Sequence, residues 1–254
     1  MNLVEALLTD NERVVAFVGG GGKTTSMYRL ASELAGRGER VVVTTTTHIM
    51  VPNEREAESL ILFEDVAQIV DELKKRFASQ HVVAVGTRVV TPQGKIKGIP
   101  PEWVDEIARL SIAGHVVVEA DGSAGMPFKA PAEHEPVIPA STDLVVPIVG
   151  IDVLGAPLSA ETVHRPERVI AIARVALGEP VTAEVVASVL LHPDGATKGA
   201  PTAAQIVPLV NKVDDSRLDL AREIARRLID GGARRVVLAC VKEEPPVREV
   251  MGAK

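Results

Sequence analysis

Aromatic side chains are nearly absent from the 254 residues: four Phe, one Tyr and one Trp, none of them beyond Phe128. A chain that grips single-stranded nucleic acid stacks bases on aromatic rings along a basic groove. With 28 basic against 34 acidic residues and a formal charge of −6, this chain offers neither, and no nucleic-acid partner is expected. Cysteine is scarcer still. Cys240 stands alone, which excludes an intramolecular disulfide and a cysteine-based zinc cluster. Its apolar neighbours predict a small hydrophobe inside a buried strand. No uncharged apolar run approaches the roughly eighteen residues of a membrane span. The first ten residues lack the positive leader of a signal peptide, so a soluble, cytoplasmic protein with no membrane partner is expected.

What the chain does contain is a repeating pattern of β-branched runs. Residues 13–18, 40–44, 81–85, 115–119, 143–148, 205–210 and 235–240 are mostly continuously apolar, as strands covered on both faces must be. Amphipathic stretches separate them. One runs from Asp65 to Phe77 with Gln68 at capping-box spacing. Another, 216–230, opens on Ser216 and Asp219 and stops at Gly231-Gly232. A third covers 167–177 after Pro166, which suits a first helical turn. The alternation predicts an α/β fold with a doubly wound, mainly parallel sheet, formed by one domain over residues 1–254; the glycine loop between its first strand and helix, described next, makes the expected fold P-loop NTPase-like. Residues 88–98, centred on Pro92-Gln-Gly94, predict a β-hairpin insertion. Residues 122–142, rich in Pro, Ala and Gly, predict a long functional loop.

The strongest motif is Val18-Gly-Gly-Gly-Gly-Lys-Thr-Thr25, between the first strand and a helical run over 24–36. Glycines let backbone N–H groups turn towards a phosphate where side chains would block it. The helix N-terminus adds free amides and partial positive charge. Gly19, Gly20, Gly21, Gly22, Lys23, Thr24 and Thr25 are therefore the candidate phosphate site. Lys23 reaches the β- and γ-phosphates as a catalytic cation, and the Thr24 hydroxyl holds Mg²⁺. The usual Gly-x-x-x-x-Gly-Lys-Thr spacing puts a glycine at position 17, where this chain has Phe17. Either the loop is two residues short or its first glycine is replaced.

Two further motifs follow in order. His115-Val-Val-Val-Glu-Ala-Asp-Gly122 is an apolar strand ending in carboxylates; Glu119 and Asp121 compete there for the metal, and Asp121 is with Lys23 a candidate catalytic residue. Asn211-Lys-Val-Asp214 resembles a guanine-reading motif. Asp214 would accept from the base and the Lys212 stem would cover it, with no ring required; related folds bind ATP with a similar Asn.

With these motifs in place, the chain resembles the selenium-dependent hydroxylase accessory protein family, YqeC. The resemblance covers nearly the whole length. It rests on the glycine loop, Thr44-Thr-Thr-Thr-His48, Glu119-Ala-Asp-Gly122, Lys129-Ala-Pro131, His134-Glu-Pro136, Gly150-Ile-Asp152, His164-Arg-Pro166, and His192-Pro-Asp-Gly195 with Lys198-Gly199. It implies a P-loop protein binding GTP or ATP with Mg²⁺, and the family's glycine loop has the same shortened form. It further implies a role in maturing selenium-dependent molybdenum hydroxylases. A selenium or molybdenum-cofactor species and a hydroxylase subunit are then expected partners. Thr47, His48, Lys129, His134, Arg165 and Lys198 are candidate contacts to a second substrate or the γ-phosphate, since loops at strand carboxyl ends form the ligand crevice. The expected reaction is NTP hydrolysis, with GTP slightly favoured. A kinase-like phosphotransferase using the Lys129–His134 loop, a non-hydrolysing nucleotide-dependent scaffold, and a homodimer that completes the site stay open.

Overall fold

The computed structural model describes residues 1–9, 11–92 and 94–253. Its first half runs α1 (Leu3–Leu7), β1 (Val14–Gly19), α2 (Lys23–Ala35), β2 (Val41–Thr45), β3 (His48–Met50), β4 (Ser59–Leu62), α3 (Val66–Arg76), β5 (Val82–Gly86), β6 (Arg88–Val90), β7 (Lys95–Lys97) and α4 (Pro101–Arg109). The rest is β8 (His115–Glu119), β9 (Leu144–Gly150), α5 (Pro166–Ala173), α6 (Ala183–Leu191), β10 (Gln205–Ile206), β11 (Leu209–Asn211), α7 (Leu218–Asp230), β12 (Arg235–Ala239) and β13 (Val247–Gly252).

The main sheet has the order β13-β12-β11-β9-β1-β8-β2-β5-β4, with β10 also paired to β9. Its pairings are parallel except β12 with β13. The continuous apolar runs are explained by helices on both faces. In β1, Val15 and Phe17 pack with Leu3 and Leu7 of α1 and Met27 and Leu30 of α2. Ala16 and Val18 turn the other way, into a core cluster that also takes in Val186 of α6 and Ile224 and Leu228 of α7. On that second face α3 and α4 cover β5 and β8 through Ile69, Leu73, Val104 and Ile107. Because β2, β4, β5 and β8 lie on one side of β1 and β9 to β13 on the other, the chain reverses its direction of growth at β1. Such a switch point opens a crevice at the carboxyl ends of the strands.

The 88–98 hairpin forms as expected, with β6 and β7 antiparallel, and β7 also joins β3 in a separate three-stranded sheet. Its central Gln93 lies outside the described residues. Residues 120–143 connect β8 to β9 as irregular chain, matching the expected long loop.

Several boundaries differ from the sequence pattern. The expected strand 205–210 is split into β10 and β11 around Val207-Pro208, because a proline has no N–H for the ladder. The third helix ends at Ala173, where Arg174 adopts φ 56°. Ser216 does not open α7: Asp214 caps a short 3-10 turn over Asp215–Arg217, and the helix begins at Leu218. Asp65 does cap α3, accepting from Gln68 N–H. Among the described residues no helix is long and apolar enough to cross a membrane.

Candidate functional site

After β1 the backbone must turn between two neighbouring chains with almost no room. A Cβ on Gly21 would lie 2.1 Å from Gly150 N, and one on Gly22 2.3 Å from the Asn211 side-chain nitrogen. Both positions also have positive φ, +88° and +125°, so only glycine fits without strain. The amides of the loop then divide into two sets. Gly19 N–H donates to the Asp121 carboxylate at 3.0 and 3.1 Å. Gly20 N–H donates to Ile148 O, and Gly21 N–H to Met126 O, each at 3.0 Å. These three amides have acceptors within the protein, whereas the sequence pattern counts every glycine of the loop as a phosphate donor. The amides of Gly22, Lys23, Thr24 and Thr25 have no acceptor among the described residues, and Ser26 N–H is the first to bond back, to Gly22 O. They are the orphan donors of the first turn of α2.

Lys23 is 3% exposed. Its Nζ donates to Gly19 O at 2.7 Å and lies 3.3 Å from Asp121 Oδ1 and 3.6 Å from Glu119 Oε1. The Thr24 hydroxyl donates to Glu119 Oε2 at 2.6 Å. Burial pushes the Glu119 carboxyl above its ordinary range, against the pull of Lys23 and of the Thr24 hydroxyl. The charges continue inward: Lys129 Nζ is 3.1 Å from Asp121 Oδ2 and 2.6 Å from Glu135, which in turn meets Arg165 at 2.7 Å. Glu119, Lys23, Asp121, Lys129, Glu135 and Arg165 thus alternate in sign along one chain of contacts, which compensates charges that could not otherwise be buried.

A cavity of about 560 Å³ opens over the loop. Gly21 to Thr25 and Glu119 line its centre, with residues 122–126 of the long loop. On the side of β11 and β12 it is lined by Asn211, Lys212 and residues 240–242, and on the side of β2 by residues 48–50 and Lys95. Asn211, 3% exposed, is a fastener: its Nδ2 donates to Gly21 O at 2.8 Å and its Oδ1 accepts from Val241 N–H at 3.2 Å.

Other expected contacts are drawn away from the cavity. Lys129 has a fully buried side chain committed to Asp121, Glu135 and Gly122 O. Arg165 holds Glu135, and Lys198 donates to Ala132 O and Glu133 O at 2.7 and 2.9 Å. These cations brace the irregular loop internally. His134 is exposed outside the cavity lining, and Thr47 bonds to Thr45. Asp214 also lies outside the lining, and its carboxylate accepts from the Ser216 hydroxyl and from Arg217 N–H. Cys240, expected inside a strand, follows the end of β12 and lines the cavity half-buried. Lys95, Met126 and residues 240–242 were not singled out by motif, because short loops and a Lys-Ile-Lys strand carry no local signature.

A parallel sheet that switches at β1, a glycine loop closing onto α2, and Lys-Thr in its first turn define a P-loop NTPase-like α/β protein. The chain belongs to the YqeC family. The family model described as YqeC protein matches residues 15–167, a span that includes the glycine loop, Glu119, Asp121 and Arg165. "Uncharacterized protein YqeC" of Escherichia coli (strain K12) is 31% identical over 235 residues, covering 92% of this chain and 90% of the relative. Among solved structures, the chain is distantly similar to the signal recognition particle 54 kDa protein of Aeropyrum pernix K1 in complex with GDP. That match is 14% identical with a TM-score of 0.41, and covers 92% of this chain but 43% of the other. A GTPase of Pyrococcus abyssi in apo form is 15% identical with a TM-score of 0.36, covering 91% of each chain.

Proposed function

We propose that the protein binds a Mg²⁺–nucleoside triphosphate in this cavity and hydrolyses it slowly, with GTP favoured over ATP. The observation that carries this reading is the meeting of four orphan amides, Gly22 to Thr25, with the buried Lys23 ammonium in one cavity. Charge supports it. In a chain of net charge −6, the cavity lining carries Lys95 and Lys242 without a carboxylate partner among the described residues, beside Lys23 and Lys212, which are paired with Asp121 and Asp152. A local excess of that sign favours a polyanion. A lining drawn from residues 21 to 242 supports residues 1–254 acting as one domain.

The donor set suits Mg²⁺. Thr24 Oγ1 and Glu119 Oε2 are hard oxygens 2.6 Å apart. Among the described residues no group of three or more His, Cys, Asp or Glu side chains could cage an ion. Mg²⁺ favours such sparse protein ligation, completed by phosphate oxygens and water. Thr24 and Glu119 would hold the ion, which would supply charge neutralisation for the bound phosphates. Of the two rival carboxylates, Glu119 is the better ligand, since Asp121 already serves Gly19, Lys23 and Lys129. The orphan amides cradle the phosphates, and Lys23, leaving its carboxylates, compensates charge developing on the transferred phosphoryl group. Asp121 is then a positioning residue that holds the loop and aims Lys23.

The Asn211–Asp214 motif supports guanine. Asp214→Ala lowers GTP affinity more than ATP affinity if the carboxylate reads the base, and leaves their ratio unchanged if it only caps the turn. The resemblance of the sequence motifs to selenium-dependent hydroxylase accessory proteins supports a cytoplasmic role in maturing selenium-dependent molybdenum hydroxylases, with turnover driving handover of a selenium or molybdenum-cofactor species to a hydroxylase subunit. The direct test is binding and phosphate release with Mg²⁺-GTP and Mg²⁺-ATP. Removing a charged phosphate contact costs roughly 1.5–3 kcal/mol, so Lys23→Ala should lose about tenfold to a hundredfold in affinity. Affinity and turnover equal to wild type would locate the ligand elsewhere.

A further inference from the structure

The small sheet β3-β7-β6 adds a wall to the cavity that the nucleotide reading leaves unused. Its strands β3 and β7 alternate, exposed, buried, exposed. Ile49 and Ile96 are 3% and 0% exposed and enter the core, while His48, Met50, Lys95 and Lys97 stand on the opposite face. Register places Met50 opposite Lys95 and His48 opposite Lys97, so His48 and Lys95 are diagonal neighbours on one face, within mutual reach of one small ligand. Both line the cavity together with Lys23 and Thr24. The wall is held firmly: Gly98 N–H donates to Thr47 O at 2.8 Å and Ile99 N–H to Thr45 O at 3.0 Å.

The cavity's other cations are differently engaged. Lys23 bonds to Gly19 O, and Lys212 pairs with Asp152 at 2.6 Å. Lys95 has no carboxylate within 4.0 Å and no hydrogen-bond acceptor among the described residues. Lys242 shares that property but stands on the β12 side. Strand order fixes the direction of a bound nucleotide. With its base beside Lys212, after β11, its phosphates pass the loop after β1 and run towards β8 and β2, ending before His48 and Lys95.

We propose that His48 and Lys95 form an oxyanion subsite at the far end of the cavity from the nucleoside. The proposal rests on the nucleotide reading and extends it. The ligand is a phosphate-type oxyanion, from one of two sources: the terminal phosphoryl group of the nucleotide, or a separate small oxyanion bound beside a nucleoside diphosphate.

Calorimetric titration of the full chain with GTP, with GDP, and with inorganic phosphate after GDP loading separates the sources. For the terminal phosphoryl group, Lys95→Ala loses about tenfold in GTP affinity while GDP affinity stays within about twofold, and Lys95→Arg restores GTP binding. For a separate oxyanion, Lys95→Ala keeps its GTP affinity, and phosphate no longer binds to the GDP-loaded protein as it does to wild type. Equal losses for GTP and GDP, or no change in any titration, would overturn the subsite. If Lys23→Ala alone abolishes binding, the subsite fails and the nucleotide reading stands. If wild type binds no nucleotide, both fail.

Discussion

Asp121 joins the two halves of the buried charge chain, since it accepts the Gly19 amide and lies between Lys23 and Lys129. Beyond Lys129, Glu135 illustrates how the competition of effects is decided. Burial alone would raise its pKa, but hydrogen bonds and charge from Lys129 and Arg165 win and bring it down to about 2. The folded protein therefore takes up this proton less readily than the unfolded chain. The stabilisation is complete above the ordinary carboxyl value of about 4.5 and is lost as pH falls towards about 2. Urea midpoints measured from about pH 6 to about pH 3 should fall for wild type, and the fall should be shallower for Glu135→Gln. An equally steep fall in the variant would mean that other carboxylates govern acid stability.

At the scale of elements, the glycine loop keeps its shape through partners from distant segments. Asn211, at the end of β11, ties the loop carbonyl of Gly21 to the Val241 amide beyond β12. Asn211→Ala leaves both backbone groups buried without partners, at a cost of about 1–3 kcal/mol. Thermal melting should show that loss, and nucleotide affinity should fall with it. A variant as stable as wild type would show that the fastening is dispensable. Much of this architecture was legible. Continuous apolar runs marked the parallel strands, and Gly₄-Lys-Thr-Thr marked the β1–α2 turn. Glu119 and Asp121 were legible as a pair, though not their division of labour, which depends on which carboxylate Lys129 reaches. Lys129, Arg165 and Lys198 read as ligand contacts because an exposed and a buried cation look alike in sequence. Helices α4 and α6 carry readable starts that the strand-and-loop pattern passes over, Pro101 in the first turn of α4 and Thr182 capping α6; the edge strand β13 shows no clean alternation, and Lys95 reaches the cavity only through the pairing of β7 with β3.

For the molecule as a whole, the scarcity of aromatic rings now bears on how a nucleotide is held. Phe17 is fully buried and Tyr28 is 5% exposed, and neither lines the cavity. The lining would offer a base aliphatic stems, backbone and Lys212 rather than a Phe, Tyr or Trp ring. The central claim is that α2's first turn, with Lys23, is a triphosphate site. Thermal stabilisation measures it most directly, because a ligand that binds only the native state at about 100 times its Kd adds about 2.7 kcal/mol. On that claim, Mg²⁺-GTP or Mg²⁺-ATP should raise the Tm of wild type and raise that of Lys23→Ala by markedly less, since a tenfold to hundredfold weaker site keeps about half or less of that stabilisation. No rise in wild type with either nucleotide, or an equal rise in Lys23→Ala, would contradict it.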